Sequence, residues 1–293
     1  TAVGSDALGN SSTGSRNSAV GKAALISNTT GSDNTAVGYA ALDAQSTTSD
    51  NSAFGAYALT ANTTGVRNTG LGRATLETNT TGTDNTAVGH YTLITNSTGD
   101  SNTAVGVYAL DANTTANDNT AVGYGALTAN TTGEGNVAIG KNALTTNTTE
   151  SYITAVGYGA LYANTTGTHN VALGVDALGD NTTGDYNTAI GSWSLDHNTT
   201  GEWNTSVGYN ALTANTTGAY GVAVGKGALQ ANTTANYNIA VGAYALKVNT
   251  TGAYNVAMGH AALEDTNASY NVAIGHGALR DSTTGHSNAA VGY

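Results

Sequence analysis

Cysteine and proline are both absent from the 293 residues, and only one Met, one Phe and two Trp occur. Without Cys, no disulfide framework and no thiolate metal site can form. Without Pro, every residue keeps its backbone N–H, as a chain that pairs with itself along its length requires. Charge is sparse: 8 basic against 19 acidic residues leave a net charge of −11. That balance argues against a phosphate-backbone partner, so no nucleic-acid binding is expected. No apolar run approaches the ~18 residues of a membrane span, and no signal peptide is visible. Thr1 and Tyr293 both fall inside a repeat, so a longer polypeptide is expected around this segment.

What the chain does contain is one phrase, many times over. "NTAVGYGALTANTTGEG" (119–135) is followed at once by "NVAIGKNALTTNTTES" (136–151). Counting from the Asn of "NTAVG", position 5 is Gly in all eighteen copies, from Gly4 to Gly292. The interval is 17 residues throughout, except for the 16 between Gly259 and Gly275. Position 9 is Leu in all seventeen copies that contain it. Position 4 is always large and apolar, as in Val37, Phe54, Leu71 and Met258, whereas positions 3 and 8 are small.

A unit this short cannot hold a helical hairpin, which needs about 33 residues or more. It is also rich in Gly, Asn and Thr, all poor helix formers. "TAVG" and "VAIG" carry strand period, with apolar or β-branched residues at positions 2 and 4. "NTTG" is turn chemistry, because Asn and Gly tolerate positive φ. The expected fold is all-β: a parallel β-solenoid of about eighteen 17-residue coils, continuous over 1–293. Coils stacked ~4.8 Å apart give a rod of roughly 80–85 Å, with like residues in ladders. Positions 4 and 9 are expected to be the buried pair of each coil. The small residues at positions 3 and 8 are expected where another backbone approaches. Two large apolar residues offset little of the entropy of ordering seventeen. Ladder bonds between coils, and burial against copies of the chain, are expected to supply the rest.

The phrase "NVAIGKNAL" (136–144), with "NTAVGYGAL" and "NVAIGHGAL", resembles the head repeats of trimeric autotransporter adhesins of the YadA type. It is similar also to the "NTAVGYxALxxNTTG" arrays of bacterial and phage fibre proteins. The resemblance covers the whole chain. It implies a left-handed parallel β-roll, a homotrimer, and an extracellular, cell-surface or virion fibre, and it carries no catalytic residue.

Thirteen copies place Asn-Thr/Ser-Thr in one register: Asn28, Asn62, Asn79, Asn96, Asn113, Asn130, Asn147, Asn164, Asn181, Asn198, Asn215, Asn232 and Asn249. Each is a formal N-glycosylation acceptor. Turn formation by side-chain hydrogen bonding explains the same residues and is the favoured reading. Position 17 is mostly charged early, as in Asp33, Arg67 and Asp84. Later it is aromatic, as in Tyr152, Tyr186, Trp203, Tyr220, Tyr237, Tyr254 and Tyr270. Those rings form either a carbohydrate- or protein-binding ladder or a stiffening stack. His260 and His276 share position 6 in adjacent copies and are read as surface residues.

No Ser/His/Asp trio recurs at a fixed register, no P-loop occurs, and no metal set or cofactor motif is found. The expected function is therefore mechanical rather than enzymatic: a stiff segment built from copies of itself, as a homotrimer or an end-to-end filament. The alternatives are a face that recognises carbohydrate or ice, and a fibril displaying N-linked sugars.

Overall fold

The computed structural model describes residues 1–293. It contains no helix and eighteen parallel strands, from β1 (Ala2–Val3) and β2 (Ser18–Val20) to β18 (Ala289–Val291). The chain forms two compact units, Thr1–Ser151 and Tyr152–Tyr293. The first holds β1 through β9 (Val137–Ile139) and the second β10 (Thr154–Val156) through β18. Within each unit every strand pairs in parallel with the next, equivalent residues side by side: Ala19 with Ala36 in the first, Ala172 with Ala189 in the second. Each unit is a β-solenoid with one short strand per coil.

Glycine at position 5 turns the chain out of the strand. Its φ lies between +127° and +142° in every copy, a region closed to residues with a Cβ. At Gly38 a Cβ would sit 2.5 Å from the carbonyl oxygen of Gly55 in the next coil. Four residues later the leucine also takes positive φ, +50° to +54° in all seventeen copies. From Leu25 to Leu263 that side chain is buried. The left-handed region is hardest on β-branched residues. Position 9 is therefore restricted to Leu, while position 4, in extended backbone, takes Val, Ile, Leu, Met or Phe.

The interior differs from the sequence expectation. Position 4 points outward: Val20 is 40% exposed, Leu71 48% and Met258 44%. Positions 3 and 8 point inward, and Ala19, Ala24, Ala36 and Ala41 are fully buried. In a three-residue strand only the central side chain faces the core. The coil is so narrow that Ala fills this place, and Leu at position 9 is its large buried apolar residue, joined in one coil by Ile153 at position 1. The small residues are thus the chain's own core, not a surface for a neighbouring backbone.

Departures from Ala in this core are compensated. Gly70 at position 3 faces the larger Thr75 at position 8; a Cβ on Gly70 would lie 2.8 Å from Thr75 Oγ1. Ser194 and Ser206, both fully buried, satisfy each other: Ser194 Oγ donates to Ser206 Oγ at 2.7 Å, and Ser206 Oγ donates to the Ala211 carbonyl at 2.9 Å.

Candidate functional site

Two asparagine columns line the interior, and both are consumed by the fold. At position 1, the backbone N–H of Asn34 donates to Asn17 Oδ1 at 2.9 Å, and Asn51 repeats this on Asn34 at 3.0 Å. At position 12, Asn79 Nδ2 donates to Asn62 Oδ1 at 2.9 Å and Asn96 Nδ2 to Asn79 Oδ1 at 2.8 Å. Both columns meet at the carbonyl of position 15. The Gly31 oxygen accepts from Asn17 Nδ2 at 2.7 Å and from Asn28 Nδ2 at 3.1 Å. Charge-free amide ladders of this kind satisfy buried polar groups with bonds worth ~0.5–1.5 kcal/mol net each.

The thirteen sequon asparagines, from Asn28 to Asn249, are these buried position-12 residues, none more than 2% exposed. A glycan would have to replace a proton on the same Nδ2 that donates within the core. In the folded coil that Nδ2 also donates to the carbonyl three residues on, as Asn28 does to Gly31 and Asn62 to Gly65. The neighbouring threonine at position 13 is used as well: Thr63 Oγ1 donates to the Thr80 carbonyl at 3.0 Å and Thr182 Oγ1 to the Thr199 carbonyl at 3.0 Å. Position 14, as in Thr64, Thr81 and Thr183, is exposed.

Position 17 differs between the units. In the first, guanidinium–carboxylate pairs bridge adjacent coils: Arg16 reaches Asp33 through two bonds of 2.5 and 2.6 Å, and Arg67 reaches Asp84 at 2.6 and 2.8 Å. Each guanidinium holds its carboxyl below the ordinary value by hydrogen bonding. In the second unit the column is a stack of rings. Tyr186 and Trp203 lie 4.1 Å apart at 12°, while Tyr220, Tyr237, Tyr254 and Tyr270 follow one another at 4.9, 5.0 and 5.2 Å, within 14° of parallel. His169 joins the first run, 4.9 Å from Tyr186. The ring faces cover each other and the edges meet solvent, with Tyr237 45% and Tyr270 59% exposed. A sugar face stacks on an exposed ring face; this column offers mainly edges and hydroxyls.

The remaining continuous surface is the outer face of the strands, formed by positions 2 and 4. In the first unit position 2 is a hydroxyl column of Ser18, Thr35, Ser52, Thr69, Thr86, Thr103 and Thr120, ending at Val137, beside apolar position 4. In the second unit position 2 turns aliphatic at Val171, Val222, Ile239, Val256 and Val272, next to the aromatic column. Coils such as Tyr237–Ile239–Val241 and Tyr254–Val256–Met258 thus present three apolar side chains each. No strand carries a charged residue on this face. Sequence reading missed it because it assigned position 4 to the core; the absence of charge at positions 2 and 4 was the available signal.

A shallow groove in the second unit is lined by Thr213, Ala214, Gln230, Ala231, Lys247 and Val248. No helix is long and apolar enough to cross a membrane. No protein-family model matches this chain, and comparison with curated proteins finds no match either.

Proposed function

We propose that the chain is a structural segment, a stiff shaft or display surface of an extracellular fibre or appendage, whose outer strand face packs against copies of itself. The observation that carries this reading is the uncharged strand face. The chain bears a net charge of −11, so two copies repel wherever acidic residues meet. The outer face of the strands is free of such groups in every coil and places at least one large apolar residue per ~4.8 Å step, which lets like faces interdigitate. Exposed apolar area continuous over many coils is a feature of interaction surfaces rather than of isolated monomers. The consumption of amides and hydroxyls in ladders supports a mechanical rather than a catalytic role. The resemblance to adhesin heads and fibre arrays points the same way.

The test is native mass by sedimentation, with the intact chain mass measured beside it. Multiples of 29.1 kDa that dissociate when Val224 and Ile239 are both changed to Lys support the reading. A particle that stays at one chain mass at all concentrations overturns it.

The hydroxyl column of the first unit favours one second reading, a face that binds carbohydrate or ice. Growth of ice crystals in the presence of the protein, compared with a Thr86→Lys/Thr103→Lys variant, discriminates: unchanged inhibition, or none, removes the ice reading.

A further inference from the structure

We infer that Asp180, Asp196 and His197 form a surface binding site for a borderline divalent transition-metal ion of the zinc class. The three residues come from adjacent coils of the second unit, and one ligand atom from each lies within 4.8 Å of the other two. His197 Nδ1 and Asp180 Oδ2 are already 2.8 Å apart. An imidazole nitrogen with two carboxylates is a donor set that suits zinc and its neighbours rather than calcium or magnesium, which take oxygen only. Zinc holds such donors at ~2.0–2.2 Å, so closing of exposed Asp180 and His197 toward half-buried Asp196 brings all three onto one ion and leaves a position for water.

The repeat shows how unusual the place is. Position 11 is filled by Ala163 before the cluster and by Ala214 after it, but by Asp180 and His197 within it. Position 10, held by side chains as large as Tyr162 and Thr213 in flanking coils, becomes Gly179. A Cβ there would lie 2.7 Å from Asp196 Oδ1. The missing side chain is the room in which the Asp196 carboxylate sits. The arginine and lysine ion pairs lie elsewhere, on Asp33, Asp84 and Glu264.

The chain's other histidine pair lacks this geometry. His260 and His276 stack with ring centres 5.0 Å apart at 13°, so their in-plane lone pairs run side by side instead of converging.

The test is calorimetric titration of the full chain with zinc chloride at neutral pH. Three variants are titrated in parallel: His197→Ala, Asp196→Thr and His260→Ala/His276→Ala. The first two install the residues of the next coil, Ala214 and Thr213, and circular dichroism checks that both stay folded. One zinc per chain is expected, with affinity falling in these two by more than the roughly 10–100-fold that loss of an outer-shell partner costs. The double histidine variant should bind as the wild type does. No binding by the wild type, or binding unchanged by His197→Ala, overturns the proposal.

Discussion

Asn267 Oδ1 accepts the backbone N–H of Thr250 at 2.9 Å and that of Thr251 at 2.9 Å. In many other coils the equivalent pair of N–H groups goes to a backbone carbonyl, as Thr63 and Thr64 both donate to the Thr80 oxygen at 2.9 and 3.0 Å. Asn267 lies in the one 16-residue interval, between Gly259 and Gly275. The coil is one residue short, and a side-chain amide supplies the acceptor in place of the main chain. Asn267→Ala is expected to cost about 1–2 kcal/mol, two hydrogen bonds at their usual net worth. Asn267→Asp keeps the acceptor and should cost less. Hydrogen exchange at Thr250 and Thr251 checks the local effect: protection unchanged in the alanine variant would refute the substitution of side chain for backbone.

The positive φ of the buried leucines gives a second prediction. Leu127 is fully buried with φ at +54°. Leu→Met and Leu→Ile conserve volume and ordinarily cost under about 1.5 kcal/mol in a core. Only isoleucine adds a branch at Cβ, which the left-handed region penalises. Leu127→Ile should therefore be destabilised beyond Leu127→Met by a further ~1–2 kcal/mol, of the order of other backbone strain terms. Equal denaturation midpoints for the two variants would mean that packing alone selects leucine.

The repeat length, the Gly corner and the Leu position were all legible in the sequence, because each is invariant and each maps to one backbone conformation. The inside–outside phase of the strand was not. Size suggested Val37 inside and Ala36 outside, whereas the structure buries Ala36 and leaves Val37 half-exposed. A three-residue strand is too short for alternation to set its phase, and the narrowness of the coil is a property of the closed backbone. The asparagines at position 12 donate to a carbonyl three residues on, but their burial depends on amide partners 17 residues away in the adjacent coil. The Asp180–Asp196–His197 group was missed for the same reason. Its members are 16 and 1 residues apart, and only alignment of adjacent copies brings them together.

Interruptions of the asparagine ladder leave a mark that can be repaired. Asn28 Oδ1 is buried without a hydrogen-bond partner. The next coil has Gln45 at this position, and Gln45 Nε2 donates to the Thr48 carbonyl at 2.8 Å instead of reaching back to Asn28. Asn249 Oδ1 is orphaned likewise, with Thr266 in the following coil. Gln45→Asn restores the column, and Asn62 can donate to it as Asn79 donates to Asn62. Relief of an unsatisfied buried acceptor is worth about 1–3 kcal/mol, so the variant should unfold at a higher temperature. A lower midpoint would show that the longer glutamine fills space that asparagine leaves empty.

The cluster at Asp196 makes the protein's stability depend on pH in a definite direction. Burial raises the Asp196 carboxyl from 3.8 to about 6, with Asp180 and Asp176 adding repulsion and His197 opposing it. The folded state therefore holds this proton more tightly than the unfolded state. The resulting stabilisation is complete below the ordinary value and is lost as pH rises through about 6. His197 works in the same sense: its hydrogen bond to Asp180 raises its pKa above 6.5. That contribution is present below 6.5 and disappears as pH rises through the folded value. Asp43 and Asp111, raised by burial, share the direction, whereas Asp33 and Asp84, lowered by arginine, act only in stronger acid. The difference between wild type and Asp196→Thr isolates the cluster. The wild type should lose thermal stability between about pH 4 and pH 7 relative to the variant, and the gap should be smallest at the acid end. Parallel melting curves across that range would refute the assignment.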